Sequence, residues 1–170
     1  MTDILLVDGY NIINAWPGLK QIARENLNDA RKQLVDILLD YQGYKGIKII
    51  LVFDAHMIRG GQEKKELYGD LEVVFTKENE TADHYIERWT DRITRDMRVM
   101  VATSDHLQQT IVLSKGAVRI SARELLEHIQ EVQKDMAREY LDKPKPKTNT
   151  LGDRANPEII EILERWRRQR

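Results

Sequence analysis

The sequence ILLVDGYN, residues 4–11, decides the fold, because four apolar residues run directly into Asp8 and Gly9. A short apolar run of this kind is typical of a strand that is buried on both faces of a parallel sheet. A longer run from Ile47 to Phe53, rich in β-branched residues, stops at Asp54 in the same way. The sequence therefore predicts two buried strands, each ending at an aspartate.

Apolar residues at helical spacing predict a crossover helix around residues 30–41, with Asn28 or Asp29 as its cap and Gly43 at its end. Further strands are expected at residues 71–75, 99–102 and 117–120. Further helices are expected after Thr81, from about Asp105 to Gly116, from the Ser121 capping box to about Leu141, and from Asn156 onward. Strands that alternate with helices predict an α/β fold, in which helices flank a mainly parallel central sheet.

Composition narrows the class of protein. The chain has 170 residues, of which 41% are hydrophobic and 32% charged, as expected for one soluble domain. No apolar run approaches the roughly 18 residues of a membrane span, so we expect a cytoplasmic protein without membrane contact. The chain has no cysteine, which excludes disulfides and thiolate metal sites. Any metal must therefore bind oxygen or imidazole.

Charge is distributed unevenly along the chain. We expect a main domain over residues 1–142, a basic Pro/Lys linker over 143–155 and a terminal helix over 156–170. Residues 143–170, here called the basic arm, hold eight Lys/Arg and four Asp/Glu, whereas residues 1–142 hold 19 and 24. Such an arm is either a solvated terminus or a binding element for an anionic partner. Its candidate cations for binding such a partner are Lys143, Lys145, Lys147, Arg167, Arg168 and Arg170.

Four aspartates are the candidate chemical groups. Asp8, Asp54 and Asp105 each follow a predicted strand, and Asp83 lies in the first turn of a helix that starts beside the same sheet edge. Ligand crevices of parallel sheets lie at that edge. Each aspartate could instead serve only as a turn or cap residue. Four together would repel, by about 4 kcal/mol per pair at 4 Å and an effective dielectric near 20, unless a cation such as Mg²⁺ or Mn²⁺ bound them.

The motifs ILLVDGYN (4–11), VFDA (52–55), ETAD (80–83) and ATSD (102–105) together resemble the NYN nucleases of the PIN-like superfamily. They are most similar to the bacterial YacP-like branch, which includes a ribosome-associated endoribonuclease of Gram-positive bacteria. The resemblance covers about residues 3–125 and extends more loosely to the terminal helix. It implies a Rossmann-like PIN fold and metal-dependent cleavage of RNA, with mRNA and the ribosome as partners.

The resemblance also implies the site. Asp8, Asp83 and Asp105 would bind Mg²⁺ or Mn²⁺, and Asp54 would be an additional catalytic acid. One or two cations held there would activate water for attack on the phosphodiester and stabilise the leaving oxygen. The expected products carry 5′-phosphate and 3′-hydroxyl ends.

Several neighbouring polar residues allow two interpretations. Asn11 would orient an acid or a water molecule, or would only cap a helix. Glu80 would face the crevice or form part of the Thr81 cap. Ser104 and Thr103 lie at a predicted helix N-terminus, where they would hold a phosphate or act as caps.

The histidines are not expected to be catalytic. His84 and His106 follow Asp83 and Asp105, but neighbouring residues on a helix point about 100° apart. For His56 and His128 the case for a catalytic role is no stronger.

Aromatic and basic side chains are candidates for RNA contact. Trp16 is predicted to stack on bases at the crevice mouth, with Tyr10 and Tyr68 as weaker candidates. Trp89 lies on an apolar stripe and is predicted to be core. A loop carrying Lys64 and Lys65 is a further candidate.

Two enzyme classes are disfavoured and one rival remains. A response-regulator receiver needs a phosphoacceptor at strand three and a lysine at strand five, where this chain has Phe75-Thr76-Lys77 and Arg119. A haloacid-dehalogenase-type phosphatase needs an acid two residues after Asp8, where Tyr10 stands. A non-catalytic RNA- or ribosome-binding module on the same fold stays open.

Overall fold

A computed structural model describes residues 1–55, 61–104 and 115–143, together with Arg165. The helix predicted from Asp105, the helix predicted from Asn156 and most of the predicted linker lie outside these residues. The chain divides into two compact units, Met1–Met136 and Ala137–Arg170. No helix in the described ranges is long and apolar enough to span a bilayer.

Within the described residues, the structure contains one sheet of six strands in the order β3-β4-β2-β1-β5-β6. The strands are β1 (Thr2–Asp8), β2 (Lys48–Phe53), β3 (Lys64–Tyr68), β4 (Leu71–Phe75), β5 (Met97–Ala102) and β6 (Val118–Ile120). All neighbouring pairs are parallel except β3 and β4. Central β1 pairs with β2 and β5 so that Asp8 aligns with Val52 and Val7 with Ala102. This register brings the carboxyl ends of the three strands to one edge.

Five helices lie in the described parts of the chain. They are α1 (Gly9–Ala15), α2 (Pro17–Glu25), α3 (Leu27–Lys45), α4 (Ala82–Thr90) and α5 (Ala122–Asp142). The predicted α/β fold with a mainly parallel sheet between helices is confirmed.

The sheet buries a core on each face. One core packs side chains of α1, α2, α3 and α5 against residues such as Leu5, Leu51 and Val73. The other packs Tyr85 and Ile86 of α4 against the opposite face. Side chains alternate between the two faces along each strand, and both faces are covered, which explains the continuous apolar runs Ile4–Val7 in β1 and Ile49–Phe53 in β2.

Three elements depart from the prediction. Helices α1 and α2 were not predicted, and they meet at Trp16, whose extended backbone is the conformation favoured before a proline. Pro17 then occupies the first turn of α2, where a missing amide hydrogen costs nothing. The predicted loop around Lys64 and Lys65 is wrong, since these residues begin the antiparallel edge strand β3.

The ends of α3 also differ from the predicted ones. The Asn26 side chain caps α3 by accepting hydrogen bonds from the Asn28 and Asp29 amides, and the helix ends at Gly46 in a left-handed conformation with φ 64°. Both ends lie two or three residues outside the predicted ones. The predicted Ser121 capping box is confirmed, because Ser121 and Glu124 exchange hydrogen bonds of 2.7 and 3.1 Å.

Candidate active site

Two carboxyl groups, those of Asp8 and Asp83, meet at the carboxyl edge of the sheet. Asp8 ends β1 and caps α1, where its Oδ1 accepts a hydrogen bond of 3.4 Å from the Asn11 amide. Asp83 lies in the first turn of α4, whose capping position is filled by Thr81. The Asp8 and Asp83 side chains are hydrogen-bonded to each other. Two ionised carboxylates this close together would repel, so protonation of one of them or binding of a cation is favoured.

The electrostatics of this pair are unusual. Burial of Asp8, then the charge of Asp83 and the hydrogen bond to it, and finally the charge of Asp54 raise the pKa of Asp8 from 3.8 to about 7. The Asn11 amide acts in the opposite direction but does not compensate. Asp8 thus favours its neutral form in the absence of a cation.

The pair opens into a pocket of about 550 Å³. Its volume is typical of a site for a small ligand or one nucleotide unit. The residues lining it are Asp8, Tyr10, Asn11, Ile13, Asn14, Leu27, Asp54, Thr81, Ala82 and Asp83. We call it the acid pocket.

Thr76 sets the position of two acidic segments, a role that the sequence did not reveal. Its buried hydroxyl accepts a hydrogen bond of 3.0 Å from the Ala55 amide and donates one of 2.6 Å to the Glu80 carbonyl. It therefore ties the turn that carries Asp54 to the loop that leads into α4 and Asp83.

Asn11 connects α1 to the end of β5. Its side-chain oxygen accepts a hydrogen bond of 2.9 Å from the Ser104 amide, while its own amide donates to Asp8. Asn11 thereby positions both Asp8 and the backbone that leads into Asp105, which lies outside the described residues. This contact supports the interpretation of Asn11 as a residue that orients an acid.

Comparisons with known proteins identify the family. The model of the YacP-like NYN domain matches residues 5–168. The YacP protein of Bacillus subtilis strain 168 is 40% identical over 169 residues, which cover 98% of this chain and 97% of that protein. This chain belongs to the YacP-like NYN domain family.

Solved structures agree with this membership. The crystal structure of Rae1 (YacP) from Bacillus subtilis matches with a TM-score of 0.74 at 40% identity, covering 98% of this chain and 95% of that one. A second crystal structure, of a tryptophan-to-leucine variant of the same protein, matches with a TM-score of 0.70 at 41% identity, covering 81% and 80% of the two chains. The predicted resemblance is confirmed, and membership in an NYN family is consistent with a nuclease-type function related to RNA.

The structure corrects the prediction for Trp16. Its side chain is only 3% exposed, and its indole Nε1 donates a hydrogen bond of 2.7 Å to the Ala122 carbonyl at the start of α5. The indole joins α1 to α5 within the core, so it presents no face to an RNA base. Trp89 is partly buried against the α4 core, as predicted.

Glu80 does not face the acid pocket. Its side chain is 8% exposed, and its Oε1 accepts hydrogen bonds of 3.1 and 2.9 Å from Arg88, two turns along α4. Its Oε2 has no hydrogen-bond partner among the described residues. The ion pair is a structural contact between the loop and α4, which corrects both proposed roles of Glu80.

Thr103 is fully buried, which argues against its predicted phosphate-holding role. Ser104 is exposed and its amide donates to the Asn11 side chain, so a phosphate contact of the Ser104 hydroxyl stays a prediction. Among the described histidines, His84 and His128 are exposed, and neither lines the acid pocket.

Gly9 is required where β1 turns into α1. A Cβ atom at this position would lie 2.4 Å from the Phe53 ring. The absence of a side chain allows the ring to pack beneath the turn that holds Asp8. This contact could not be predicted from local sequence, because Phe53 belongs to another strand.

A cation fits the acid pair, although the described residues contain no group of three or more metal-ligating side chains gathered in one place. Mg²⁺ commonly binds proteins through one or two carboxylates and keeps several water ligands. The pair of Asp8 and Asp83 supplies such oxygens, and burial together with the charges of Asp83 and Asp54 disfavours the ionised form of Asp8 without a counter-charge. NYN and PIN-like nucleases generally use divalent metals, and this donor set agrees with that chemistry.

Proposed function

We propose that this chain is a divalent-metal-dependent endoribonuclease. The observation that carries the proposal is the pair of hydrogen-bonded carboxyl groups, Asp8 and Asp83, which lines a pocket at the carboxyl edge of a parallel sheet. A purely structural role would not require a partly buried aspartate whose pKa is raised to about 7. Membership in the YacP-like NYN family supports the same reaction.

Asp8 and Asp83 would hold Mg²⁺ or Mn²⁺, with Asp105 as the predicted third ligand. Such a cation lowers the pKa of water, polarises the phosphoryl oxygen and stabilises the leaving oxygen. Asp54 lines the same pocket and adds negative charge.

The protein's own groups prepare the site. Asp8 and Asp83 would hold the cation, whose positive charge would favour the ionised form of both carboxyl groups. Asn11 fixes Asp8 and the start of the Ser104 segment at once, which limits the number of arrangements that the acids can adopt. Thr76 holds the turn that carries Asp54 beside the loop that leads into α4. Preorganisation of this kind reduces the reorganisation needed in the transition state.

The partners follow from the resemblance and from charge. We propose single-stranded RNA, mRNA in a ribosome-associated context, as the substrate, which places the activity in the cytoplasm. The basic arm would contribute affinity, since the acid pocket itself is negatively charged and repels phosphate.

The test is cleavage of end-labelled RNA by the purified full chain, with Mg²⁺, Mn²⁺ or EDTA, and with or without ribosomes. We expect cleavage only with a divalent cation, and 5′-phosphate and 3′-hydroxyl product ends. Asp8→Asn and Asp83→Asn should abolish it, whereas the matched control Asp40→Asn, an exposed residue of α3, should not. RNA that is bound but keeps its length under all these conditions would support the non-catalytic binding module instead.

A further inference from the structure

A second pocket lies beside the acid pocket, between α3 and the β3–β4 hairpin. Its volume is about 510 Å³. It is lined by Asn28, Arg31, Lys32, Val35, Asp36, Leu39, Phe53, Lys64, Glu66, Tyr68, Val73 and Phe75. We call it the hairpin groove. We propose that the hairpin groove binds the RNA strand that flanks the scissile phosphate. The proposal rests on the nuclease function proposed above and assigns a substrate site outside the acid pocket.

An aromatic row connects the two pockets. The ring of Tyr10, which lines the acid pocket, lies 5.1 Å from the ring of Phe53, and the Phe53 ring stacks on Phe75 at 5.6 Å. Phe53 and Phe75 line the hairpin groove. The Tyr10 hydroxyl also accepts a hydrogen bond of 2.8 Å from Arg31, whose other nitrogen donates to Asn28 at 3.2 Å. An RNA strand that leaves the acid pocket across Tyr10 would therefore meet Arg31 next.

The two pockets have opposite charge. The acid pocket holds three aspartates and no basic side chain among the residues that line it. The hairpin groove holds three cations, Arg31, Lys32 and Lys64, against two carboxylates. Within the described residues, Arg31 and Lys32 form no ion pair with a carboxylate, so both can bind phosphate without breaking one. Phosphates on either side of the cleaved bond need such cations, because the acids repel them.

The groove also offers surfaces for bases. Tyr68 is 42% exposed and Phe75 is partly exposed at the hairpin. Aromatic rings beside cations are the usual means of binding single strands without sequence preference. Lys64 lies 5.9 Å from the Phe75 ring centroid and pairs with Glu66 at 2.9 Å, so a phosphate would exchange with that carboxylate. This arrangement favours a single-stranded polyanion with unstacked bases over a duplex.

The edge strand provides a matched pair of residues for the test. Lys64 aligns with Phe75 and faces the groove, whereas Lys65 aligns with Val74 on the opposite face of the sheet. Lys65 pairs there with Glu72 at 3.2 Å and Glu63 at 3.5 Å. The two lysines are adjacent and carry the same charge, but only Lys64 lies in the proposed site. Of the two lysines predicted to contact RNA, our proposal therefore assigns only Lys64 to the hairpin groove.

The experiment measures binding of a fluorescein-labelled oligouridylate of about 12 nucleotides to the full chain in EDTA, across a salt series. Lys64→Gln, Lys32→Gln and Arg31→Gln should each weaken binding about two- to fivefold, as expected for exposed charge pairs. Each lost phosphate contact should flatten the slope of log affinity against log salt by about 0.7. Lys65→Gln should leave affinity and slope unchanged. Tyr68→Phe should retain affinity, whereas Tyr68→Leu should lose about fivefold or more.

Melting temperatures of all variants confirm folding before binding is compared. Arg31→Lys, which keeps the charge, should recover part of the affinity that Arg31→Gln loses. Equal effects of Lys64→Gln and Lys65→Gln, or no effect of any groove variant, would overturn the proposal. Because binding is measured without a cation, a protein that binds through the groove but never cleaves would refute the nuclease function alone. Cleavage with unaltered affinity in the groove variants would refute the groove alone.

Discussion

Replacing Asp8 with asparagine should stabilise the metal-free protein while destroying its activity. Asparagine has nearly the same shape and caps helices as well as aspartate, so the Asn11 amide keeps its acceptor. The change removes a charge that burial, Asp83 and Asp54 all disfavour. Asp8 is thus expected to trade stability for function, as active-site residues commonly do.

The magnitude follows from the pKa of Asp8, which rises from 3.8 to about 7 on folding. The folded protein keeps a proton on Asp8 that the unfolded chain releases, so stability falls as pH rises between about 4 and 7. Roughly three pKa units at 1.36 kcal/mol each give a penalty of about 4 kcal/mol above pH 7. Burial of the amide offsets part of this, which leaves about 2–4 kcal/mol and a rise in melting temperature of roughly 5–15 °C.

The assay is thermal unfolding in EDTA at several pH values. At pH 8, Asp8→Asn should melt above the wild type. The difference should shrink steadily as the pH falls towards 4, and it should vanish only below the unfolded pKa of 3.8, where Asp8 is neutral in both states. Millimolar Mn²⁺ should raise the melting temperature of the wild type at pH 8 and not that of the variant. Asp40→Asn should behave as the wild type. A variant that melts below the wild type at pH 8, or a difference that does not change with pH, would refute the electrostatic reasoning.

Five further variants test the supporting contacts and the basic arm. Gly9→Ala should lower the melting temperature, because overpacking against Phe53 costs about 1–3 kcal/mol. Thr76→Val should cost a similar amount by orphaning buried backbone groups and should also reduce cleavage, whereas Thr76→Ser should restore both. Trp16→Phe should lower the melting temperature without changing RNA affinity, the reverse of what a base-stacking residue would show. Replacing the six candidate cations of the basic arm with glutamine should leave the melting temperature unchanged. If three to five of them contact phosphates, the slope of log RNA affinity against log salt should flatten by about 2 to 3.5. An unaltered slope would show that the arm is a solvated terminus.

The strands that carry the acids could be predicted because they are continuous apolar runs with an aspartate at the end. The edge strand β3 could not, since its sequence KKELY is charged and mostly exposed and lacks an apolar alternation. Helices α1 and α2 are short, and Pro17 interrupts the pattern that they share. In both cases tertiary contacts stabilise an element that the local sequence does not mark.

The sequence predicted that Asp8, Asp54 and Asp83 would lie together, as they do in the acid pocket, but it did not predict the residues that hold them in place. Motif order was enough to select Asp8 and Asp83. Trp16 donates its indole hydrogen bond to the carbonyl of Ala122, which is 106 residues away in the sequence. Thr76 accepts its hydrogen bond from Ala55, which is 21 residues before it. Neither partner can be recognised from local spacing. The hairpin groove likewise joins α3 to a hairpin that was not predicted.

The most direct measurement is anomalous scattering from crystals grown with Mn²⁺ and a short non-cleavable RNA. We predict a peak at bonding distance from carboxylate oxygens of Asp8 and Asp83, with an RNA phosphate oxygen as a further ligand. The strand should continue past Tyr10 towards Arg31. An RNA bound elsewhere, with no Mn²⁺ peak between these two carboxylates, would contradict the assignment of the acid pocket as a metal-dependent nuclease site.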